Sequence, residues 1–266
     1  MRFWKMQANG NDFLIFDFIR NPFPPSLERL TRLCDRRYGV GADDILLVSR
    51  SDIGDVKMQV LNPDGSIGAL CGNGLRCVAL FVWEVLGRCR PDAFIETDVG
   101  VKRARLLTSE RCIETNGLDA KLLFHRSIFL SGRSENVVAV DVGVPHAVVF
   151  VRGLQEYPVA QVGPMIEHHP DFLPQTTNVM FVESNDEGCL SIRSWERGGT
   201  GESFACGTGA IAVAKVWNSL GRNQPSTPIN LQFRGGTLQA CEDNEGRFSL
   251  IGSAQIVFEG KTHEVW

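Results

Sequence analysis

The 266-residue sequence lacks any apolar run near the roughly 18–20 residues that a membrane-spanning helix requires. Its 27 basic and 31 acidic residues give a net charge of −4. Because the sequence has no basic stripe, we do not expect the protein to bind nucleic acid. The chain enters a charged and polar segment within residues 1–5, so no signal peptide is predicted. These absences exclude membrane-spanning, exported and nucleic-acid-binding proteins from the expected classes.

Metal-binding and redox motifs are also missing. The eight cysteines form no CxxC pair, HExxH does not occur, and the five histidines are not grouped with cysteines at metal-ligand spacing. We therefore expect no metal site and, because scattered cysteines without an export signal indicate reduced thiols, a cytosolic location. A composition of 43% hydrophobic and 22% charged residues is ordinary for a globular protein of one large or two modest domains.

Two cysteines stand in nearly duplicated settings. Cys71 lies in Ala-Leu-Cys-Gly-Asn-Gly (69–74), and Cys206 lies in Phe-Ala-Cys-Gly-Thr-Gly (204–209). Apolar helical patterns follow over 75–86 and 210–216, and each ends towards a glycine, at 87 or 221. A Cys-Gly-x-Gly turn that opens a helix places the sulfur where the helix dipole and free N–H groups favour thiolate. The duplication predicts a pair of acid/base thiols.

Short β-type runs dominate the rest of the chain, with a few helices such as 26–36, for which Ser26 is the expected N-cap. The predicted strands are 13–18, 45–48, 56–61, 94–97, 137–142, 147–151, 178–182, 189–194 and 229–233. This mixture predicts an α+β fold in which each half is a curved, mostly antiparallel sheet wrapped around its own central helix. We place the linker near 115–118, with domains at 1–116, to which 256–266 returns, and 117–255.

The polar clusters suit one chemistry when they are taken together. Glycine-rich turns at helix N-termini can hold a carboxylate, and Arg197 can add a bidentate contact to the same group. Glu196 can accept a hydrogen bond from an ammonium group. Amides suited to a small zwitterion come from Asn11, Asn62, Asn73 and Asn178. With one thiol as base and the other as acid, this inventory predicts proton transfer at the α-carbon of an amino acid.

In these motifs the chain resembles the diaminopimelate epimerases. The matching stretches run in family order over nearly the whole chain: Gly-Asn-Asp-Phe (10–13), Asn-x-Asp-Gly-Ser (62–66), Cys-Gly-Asn-Gly-x-Arg-Cys (71–77), Pro-His (145–146), Glu-Arg-Gly (196–198) and Ala-Cys-Gly-Thr-Gly (205–209). The resemblance implies a pyridoxal-phosphate-independent enzyme that needs no cofactor and has two pseudo-symmetric domains with a substrate cleft between them. It also implies interconversion of LL- and meso-diaminopimelate for lysine and cell-wall synthesis, and a homodimer.

The resemblance further implies residue roles. Cys71 and Cys206 match the catalytic thiols, and His146 and Glu196 match polar residues important for activity. Substrate-binding positions are matched by Asn11, Asp44, Asn62, Gly72, Asn73, Asn178, Glu196, Arg197, Gly207 and Thr208. Three residues depart from the family pattern: Asp44 stands where Gln is frequent, Val144 where Asn is frequent, and Phe258 where a dimer-interface tyrosine is expected.

Other functions stay open at this point. A racemase of another amino acid could use the same two thiols, and the residues at 44 and 144 keep that alternative open. An isomerase of the phenazine-biosynthesis type is disfavoured by the paired cysteines. A thiol redox or sensor protein could use Cys71 and Cys206 as a disulfide, but that function would leave the asparagines and Arg197 unexplained.

Overall fold

The computed structural model describes residues 1–21, 26–68, 70–107, 112–184, 189–198, 201–224 and 226–262. Ala69, Gly199 and Thr200, which belong to the sequence motifs, lie outside the described residues. The strands are β1 Arg2–Ala8, β2 Asn11–Asp17, β3 Asp44–Ser49, β4 Val56–Leu61, β5 Ile67–Gly68, β6 Asp92–Thr97, β7 Gly100–Leu107, β8 Cys112–Asp119, β9 Lys121–Leu130, β10 Arg133–Asp141, β11 Pro145–Phe150, β12 Asn178–Ser184, β13 Leu190–Glu196, β14 Gly201–Ser203, β15 Ile229–Phe233, β16 Gly236–Glu242, β17 Arg247–Ser253 and β18 Gln255–Lys261. The α-helices are α1 Leu27–Thr31, α2 Gly72–Glu84, α3 Val159–Glu167 and α4 Gly207–Ser219, and 3-10 turns span Arg32–Cys34 and Pro170–Phe172.

The chain divides into two compact units. Unit 1 consists of Met1–Asn116 and Ile251–Trp266, and unit 2 consists of Gly117–Leu250. The predicted linker at 115–118 is not a loop, because these residues are part of β8. Among the described residues, no helix has both the length and the apolar character needed to cross a membrane.

In unit 1 a mostly antiparallel sheet surrounds α2. β1 pairs antiparallel with both β2 and β18, and β3 joins β2 in parallel. β4 pairs antiparallel with β3 and parallel with β6, which continues antiparallel to β7. The helix is buried on nearly every side from Asn73 to Trp83, and Phe81 packs edge-on against Trp4 of β1. A helix that is apolar all round needs such an enclosure.

Unit 2 repeats the arrangement around α4. β10 pairs antiparallel with β9 and β11, β11 pairs parallel with β12, and β13 pairs antiparallel with β12 and parallel with β15. The helix buries Ala210 to Ala214 against a core that includes Met180, Leu231 and Phe248. The α+β prediction, with a sheet around a central helix in each half, is therefore confirmed.

The prediction for the first helix is wrong in extent. A helix was expected over 26–36, but α1 ends at Thr31 and continues only as a 3-10 turn to Cys34. Ser26 occupies the N-cap position without a side-chain cap hydrogen bond. A segment this short forms little more than one turn, and its apolar contact with the core is Leu30.

Candidate active site

The first thiol caps α2. Cys71 is the N-cap residue in an extended conformation, with φ −124° and ψ 113°, and its sulfur accepts a hydrogen bond from the Gly74 N–H at 3.4 Å. On its other side the thiol donates to Asn11 Oδ1 at 3.7 Å. The sulfur thus lies at the positive end of the helix dipole, where the first N–H groups have no partner within the helix.

The two glycines of each turn have different tasks. A Cβ on Gly72 would meet nothing within 4 Å, and one on Gly207 would meet only Leu250 at 3.3 Å. By contrast, a Cβ on Gly74 would lie 3.0 Å from Leu46, and one on Gly209 would lie 2.3 Å from the sulfur of Met180. The first glycine therefore leaves space beside the thiol, whereas the second allows the helix to approach the core.

We expect Gly209→Ala to destabilise the protein by about 2 kcal/mol, because the added methyl overlaps a buried side chain in a packed core. Gly72→Ala is the matched control, since its methyl points into open space and alanine favours a helix. Urea unfolding of the two variants checks the expectation. An equal effect of the two substitutions would contradict it.

A directed chain of side chains lies behind Cys71. The fully buried Arg76 donates to Asn73 Oδ1 at 2.7 Å and to Asn9 Oδ1 at 2.9 Å. Asn73 Nδ2 in turn donates to Asn11 Oδ1 at 3.2 Å. Because a guanidinium can only donate, it fixes the orientation of the Asn73 amide and, through it, the acceptor that faces the thiol.

The far end of this chain is an ion network. Asn11 Nδ2 donates to Asp43 Oδ2 at 2.8 Å, and Arg36 contacts Asp43 at 2.8 Å. Arg36 also forms a bidentate pair with Asp12 at 2.7 and 3.0 Å, and Lys5 adds a further ion pair to Asp12. Burial would raise the pKa of Asp12, but the hydrogen bonds from Arg36 and Lys5 lower it to about 2. The Asn11 amide is therefore oriented by the Asp43 carboxylate, which can only accept, on one side and by the Asn73 N–H donor on the other.

Two further sequence-predicted residues lie in unit 1. Asn62 donates to Ser66 Oγ at 2.8 Å and its carbonyl accepts from the Gly65 N–H, so its side chain closes the 62–66 turn in this conformation. Gly65 has φ +87°, which explains the glycine at that point. Asp44 begins β3, is half-buried and pairs in register with Phe13. Asn62 thus belongs to a turn and Asp44 to the start of a strand.

The second thiol caps α4 in nearly the same backbone conformation, with φ −122° and ψ 112°. Cys206 is 7% exposed, and its sulfur lies 3.6 Å from Thr208 Oγ1. The expectation of a lowered thiol pKa is wrong for this residue. Burial raises the pKa of Cys206, and the charge and hydrogen bonding of Glu196 raise it further, which outweighs the Thr208 and Gly209 donors. In this conformation Cys206 is therefore a protonated thiol.

His146 connects the parts of the second site. Its Nδ1 lies 2.8 Å from the Val144 carbonyl, which can only accept, so Nδ1 carries the proton. Its Nε2 is then the acceptor for Thr208 Oγ1 at 3.0 Å and for Asn178 Nδ2 at 3.3 Å. Thr208 Oγ1 also lies 3.6 Å from Cys206 Sγ, so the hydroxyl group lies between His146 Nε2 and the thiol. Val144 contributes through its backbone, so the absence of Asn at this position does not affect this contact.

Burial lowers the pKa of His146 to about 4, against a usual value of 6.5, although its bond to Val144 acts in the opposite direction. An unfolded chain therefore takes up a proton near pH 6.5 that the folded protein does not bind until about pH 4. The contribution of His146 to the free energy of unfolding has its full value above pH 6.5. It falls by up to about 3 kcal/mol as the pH is lowered from 6.5 to 4.

Urea unfolding across this pH window checks the expectation with two variants. His146→Asn should remove most of the pH dependence, whereas His125→Asn, at an exposed histidine of β9, should retain it. The same pH dependence in wild type and His146→Asn would contradict the prediction.

The turn after β13 carries Glu196 and Arg197. The Arg197 N–H donates to Asn178 Oδ1 at 3.0 Å, and its guanidinium donates to the Gln175 carbonyl at 2.7 Å. Glu167, which is 3% exposed, accepts from the Trp195 indole at 2.8 Å and from the Gly198 N–H at 2.9 Å. A buried carboxylate thus anchors both ends of the segment that presents Glu196 and Arg197.

Sequence reasoning assigned no role to Arg76 or Glu167. Arg76 did carry a signal, because a single cation in the middle of an apolar helix must find buried partners. Glu167 carried none, since it stands in a polar stretch beside His168 and His169 that resembles a solvated loop. Within unit 1 the structure brings together Cys71, Gly72, Asn73 and Asn11, and within unit 2 it brings together Cys206, Gly207, Thr208, His146, Asn178, Glu196 and Arg197.

Solved structures share this fold at low sequence identity. A phenazine biosynthesis protein of the PhzF family from Bacillus anthracis is 17% identical, with a TM-score of 0.76 over 99% of both chains. A hydroxyproline epimerase from Agrobacterium vitis is 15% identical, with a TM-score of 0.74 over 98% of this chain and 91% of that one. Both comparisons define the fold alone.

The N-cap thiol of the central helix in each unit, together with the family match and the relatives given next, identifies an isomerase of the epimerase class. The chain belongs to the diaminopimelate epimerase family, whose model matches residues 3–116 and 138–257. The diaminopimelate epimerase of Desulforudis audaxviator is 38% identical over 98% of this chain and 99% of its own length. That of Caldanaerobacter subterraneus subsp. tengcongensis is 34% identical over the same shares.

Proposed function

We propose that this enzyme interconverts LL- and meso-diaminopimelate by a two-thiol mechanism, as a step in lysine and peptidoglycan precursor synthesis. The observation that carries the proposal is the pair of N-cap thiols, Cys71 and Cys206, each backed by oriented polar side chains. One thiolate removes the α-proton, and the other thiol delivers its own proton to the opposite face of the resulting planar carbanion.

The carbanion needs stabilisation where negative charge develops. We assign this role to the N–H groups at Gly72–Asn73 and Gly207–Thr208, which open the two helices, and to Arg197. Preorganised donors of this kind are worth several kcal/mol in a site that excludes water. No cofactor enters this scheme, and we expect activity to survive dialysis against a chelator and the absence of pyridoxal phosphate.

The substrate assignment rests on both ends of diaminopimelate. We assign the reacting end to Glu196, Arg197 and the two helix turns, and the distal amino-acid end to Asn11, Asp44, Asn62 and Asn178. A site with oriented polar groups rejects an analogue that leaves them unpaired. Lysine, which lacks the distal carboxylate, should therefore react far more slowly.

Deuterium incorporation at Cα from D₂O tests the function. The reduced enzyme is incubated with LL-diaminopimelate, meso-diaminopimelate, lysine, glutamate and histidine, and exchange and stereoisomer composition are followed by NMR and chiral chromatography. We expect rapid exchange with epimerisation for the two diaminopimelates only. Equal turnover of lysine or glutamate would refute the substrate, and no exchange with any amino acid under full reduction would refute the class of chemistry.

We also propose that the protein is a cytosolic homodimer. Phe258, at the position of the family's interface tyrosine, is 46% exposed on β18, and its ring packs edge-on against Phe3. It therefore offers an apolar surface without the tyrosine hydroxyl. Light scattering after gel filtration measures the oligomeric state, and Phe258→Asp should shift a dimer towards the monomer. A monomeric wild type would refute this part.

A further inference from the structure

Arg76 is a buried cation whose hydrogen-bond partners in the described part of the chain are neutral. Its side chain is fully buried, and no carboxylate among the described residues forms an ion pair with it. Its hydrogen bonds go to neutral acceptors: the side chains of Asn9 and Asn73 and the carbonyls of Gly72 and Ser253. A charge held in the interior without a counter-charge is costly, so it is rarely found without a purpose.

Two of these contacts place Arg76 beside the first thiol. Gly72 and Asn73 directly follow Cys71, and the guanidinium binds both of them. Arg76 interacts electrostatically with three thiols, those of Cys77, Cys71 and Cys112. Burial raises the pKa of Cys77, which therefore remains neutral. Cys112 lies in strand β8, so of these three thiols Cys71 is the one at a helix N-terminus, where the thiolate is favoured.

Four other charged side chains near this site, those of Lys5, Asp12, Arg36 and Asp43, are paired among themselves. Lys5 and Arg36 both bind Asp12, and Arg36 also binds Asp43. They form a largely neutralised network at the far side of Asn11, so their net effect on the thiol is small compared with that of an unpaired guanidinium.

The second unit has the opposite arrangement. Arg76 lies five residues after Cys71. The corresponding position in unit 2, five residues after Cys206, is the fully buried Ile211. The charged group that interacts with Cys206 is the Glu196 carboxylate. The same helix turn is thus combined with a cation in unit 1 and with an anion in unit 2.

We propose that the Arg76 guanidinium is the counter-charge of Cys71 when this sulfur ionises, so that the enzyme holds its base at Cys71 and its acid at Cys206 before substrate binds. On ionisation the sulfur gives up its hydrogen bond to Asn11 Oδ1 and keeps the one that it accepts from the Gly74 N–H. This deepens and rests on the proposed function. In a turnover the Cys71 sulfur takes the α-proton and Cys206 gives up its proton to the carbanion. The enzyme then carries a Cys71 thiol and a Cys206 thiolate, and it must exchange protons with water to return to the resting form. Arg76 acts through Cys71 and is a positioning residue.

Thiol alkylation in the absence of substrate tests this assignment. The full-length reduced protein is treated briefly with iodoacetamide at neutral pH, and mass spectrometry measures the modification of Cys71 and Cys206 in the same sample. Because the thiolate is the nucleophile, the Cys71 rate relative to Cys206 reports the ionisation of Cys71. Wild type is compared with Arg76→Gln, which removes the charge, and with Arg76→Lys, which keeps it.

We expect Arg76→Gln to lower the Cys71 rate relative to Cys206 by roughly tenfold, which corresponds to one pKa unit, whereas Arg76→Lys stays within about threefold of wild type. Asn9→Asp is a variant that keeps the guanidinium and adds a carboxylate in contact with it. Asn9→Asp should also lower the alkylation rate of Cys71 relative to Cys206 several-fold. This variant tests the proposal if Arg76→Gln does not fold.

An unchanged Cys71 rate in Asn9→Asp, or an equal loss in Arg76→Lys and Arg76→Gln, would overturn the proposal, since charge would then not be the cause. The result is independent of the epimerase assay. A wild-type protein that shows no Cα exchange refutes the proposed function but leaves the alkylation ratios interpretable.

Discussion

Cys71→Ala and Cys206→Ala are each expected to lower the epimerisation of LL-diaminopimelate by roughly 10⁴-fold, the upper range for loss of a general acid or base. Neither thiol can replace the other, because each caps a different helix and serves one face of the carbanion. The measurement is the initial rate of meso-isomer formation under reducing conditions, with circular dichroism to confirm folding.

Two other cysteines serve as controls. Cys77 is buried inside α2, and Cys241 lies in β16, so alanine at either should preserve most of the activity. Cys206→Ala retains the Cys71 base and should still eliminate a good β-leaving group from a substrate analogue. Retention of more than a few per cent of epimerisation by either catalytic variant would refute the two-thiol assignment.

Arg197→Met should reduce kcat/KM by roughly 10³-fold, the size expected when a charged group loses its hydrogen-bonded partner in a desolvated site. The structure holds Arg197 through Asn178 and the Gln175 carbonyl, which points to a fixed binding geometry. Arg197→Lys should recover only part of the loss, because an ammonium cannot form a bidentate contact with a carboxylate.

The matched control is Arg222→Met, since Arg222 is exposed in the same unit and stacks on the Trp217 ring. It should leave both kcat and KM close to those of wild type. A loss of less than tenfold in Arg197→Met, with the thermal midpoint unchanged, would exclude Arg197 from substrate binding.

The long apolar helices and most of the buried strands could be predicted from the sequence, but the buried β1 and the half-buried β16 and β17 were not. Val56–Leu61 and Ile229–Phe233 have the predicted bounds, and α2 and α4 lie where the apolar patterns begin, shifted by the turn that opens each helix. Periodic burial leaves a clear pattern in a sequence. By contrast, β7 and β9 were missed, because both have many exposed positions and do not alternate clearly between polar and apolar residues.

The features of the site that follow from a local sequence motif could be predicted. Those that depend on residues distant in the sequence could not. The N-cap position of each thiol follows from Cys-Gly-x-Gly, but the protonated state of Cys206 does not. That state depends first on burial of the sulfur and then on the nearby Glu196 carboxylate, and both result from tertiary packing. In the same way, no local pattern indicates that Glu167 anchors the turn at 195–198, since its partners lie far along the chain.

The position of β18 has a consequence for folding during synthesis. β1 has β2 on one edge and β18 on the other, and the terminal ammonium of Met1 donates to the Thr262 carbonyl at 2.7 Å. A ribosome therefore delivers all of unit 2 while β1 still has an open edge. All residues of unit 2 are therefore present on the nascent chain before unit 1 receives residues 255–261. A messenger truncated after codon 250 would yield a chain with a permanently unpaired strand edge, which is a template for aggregation.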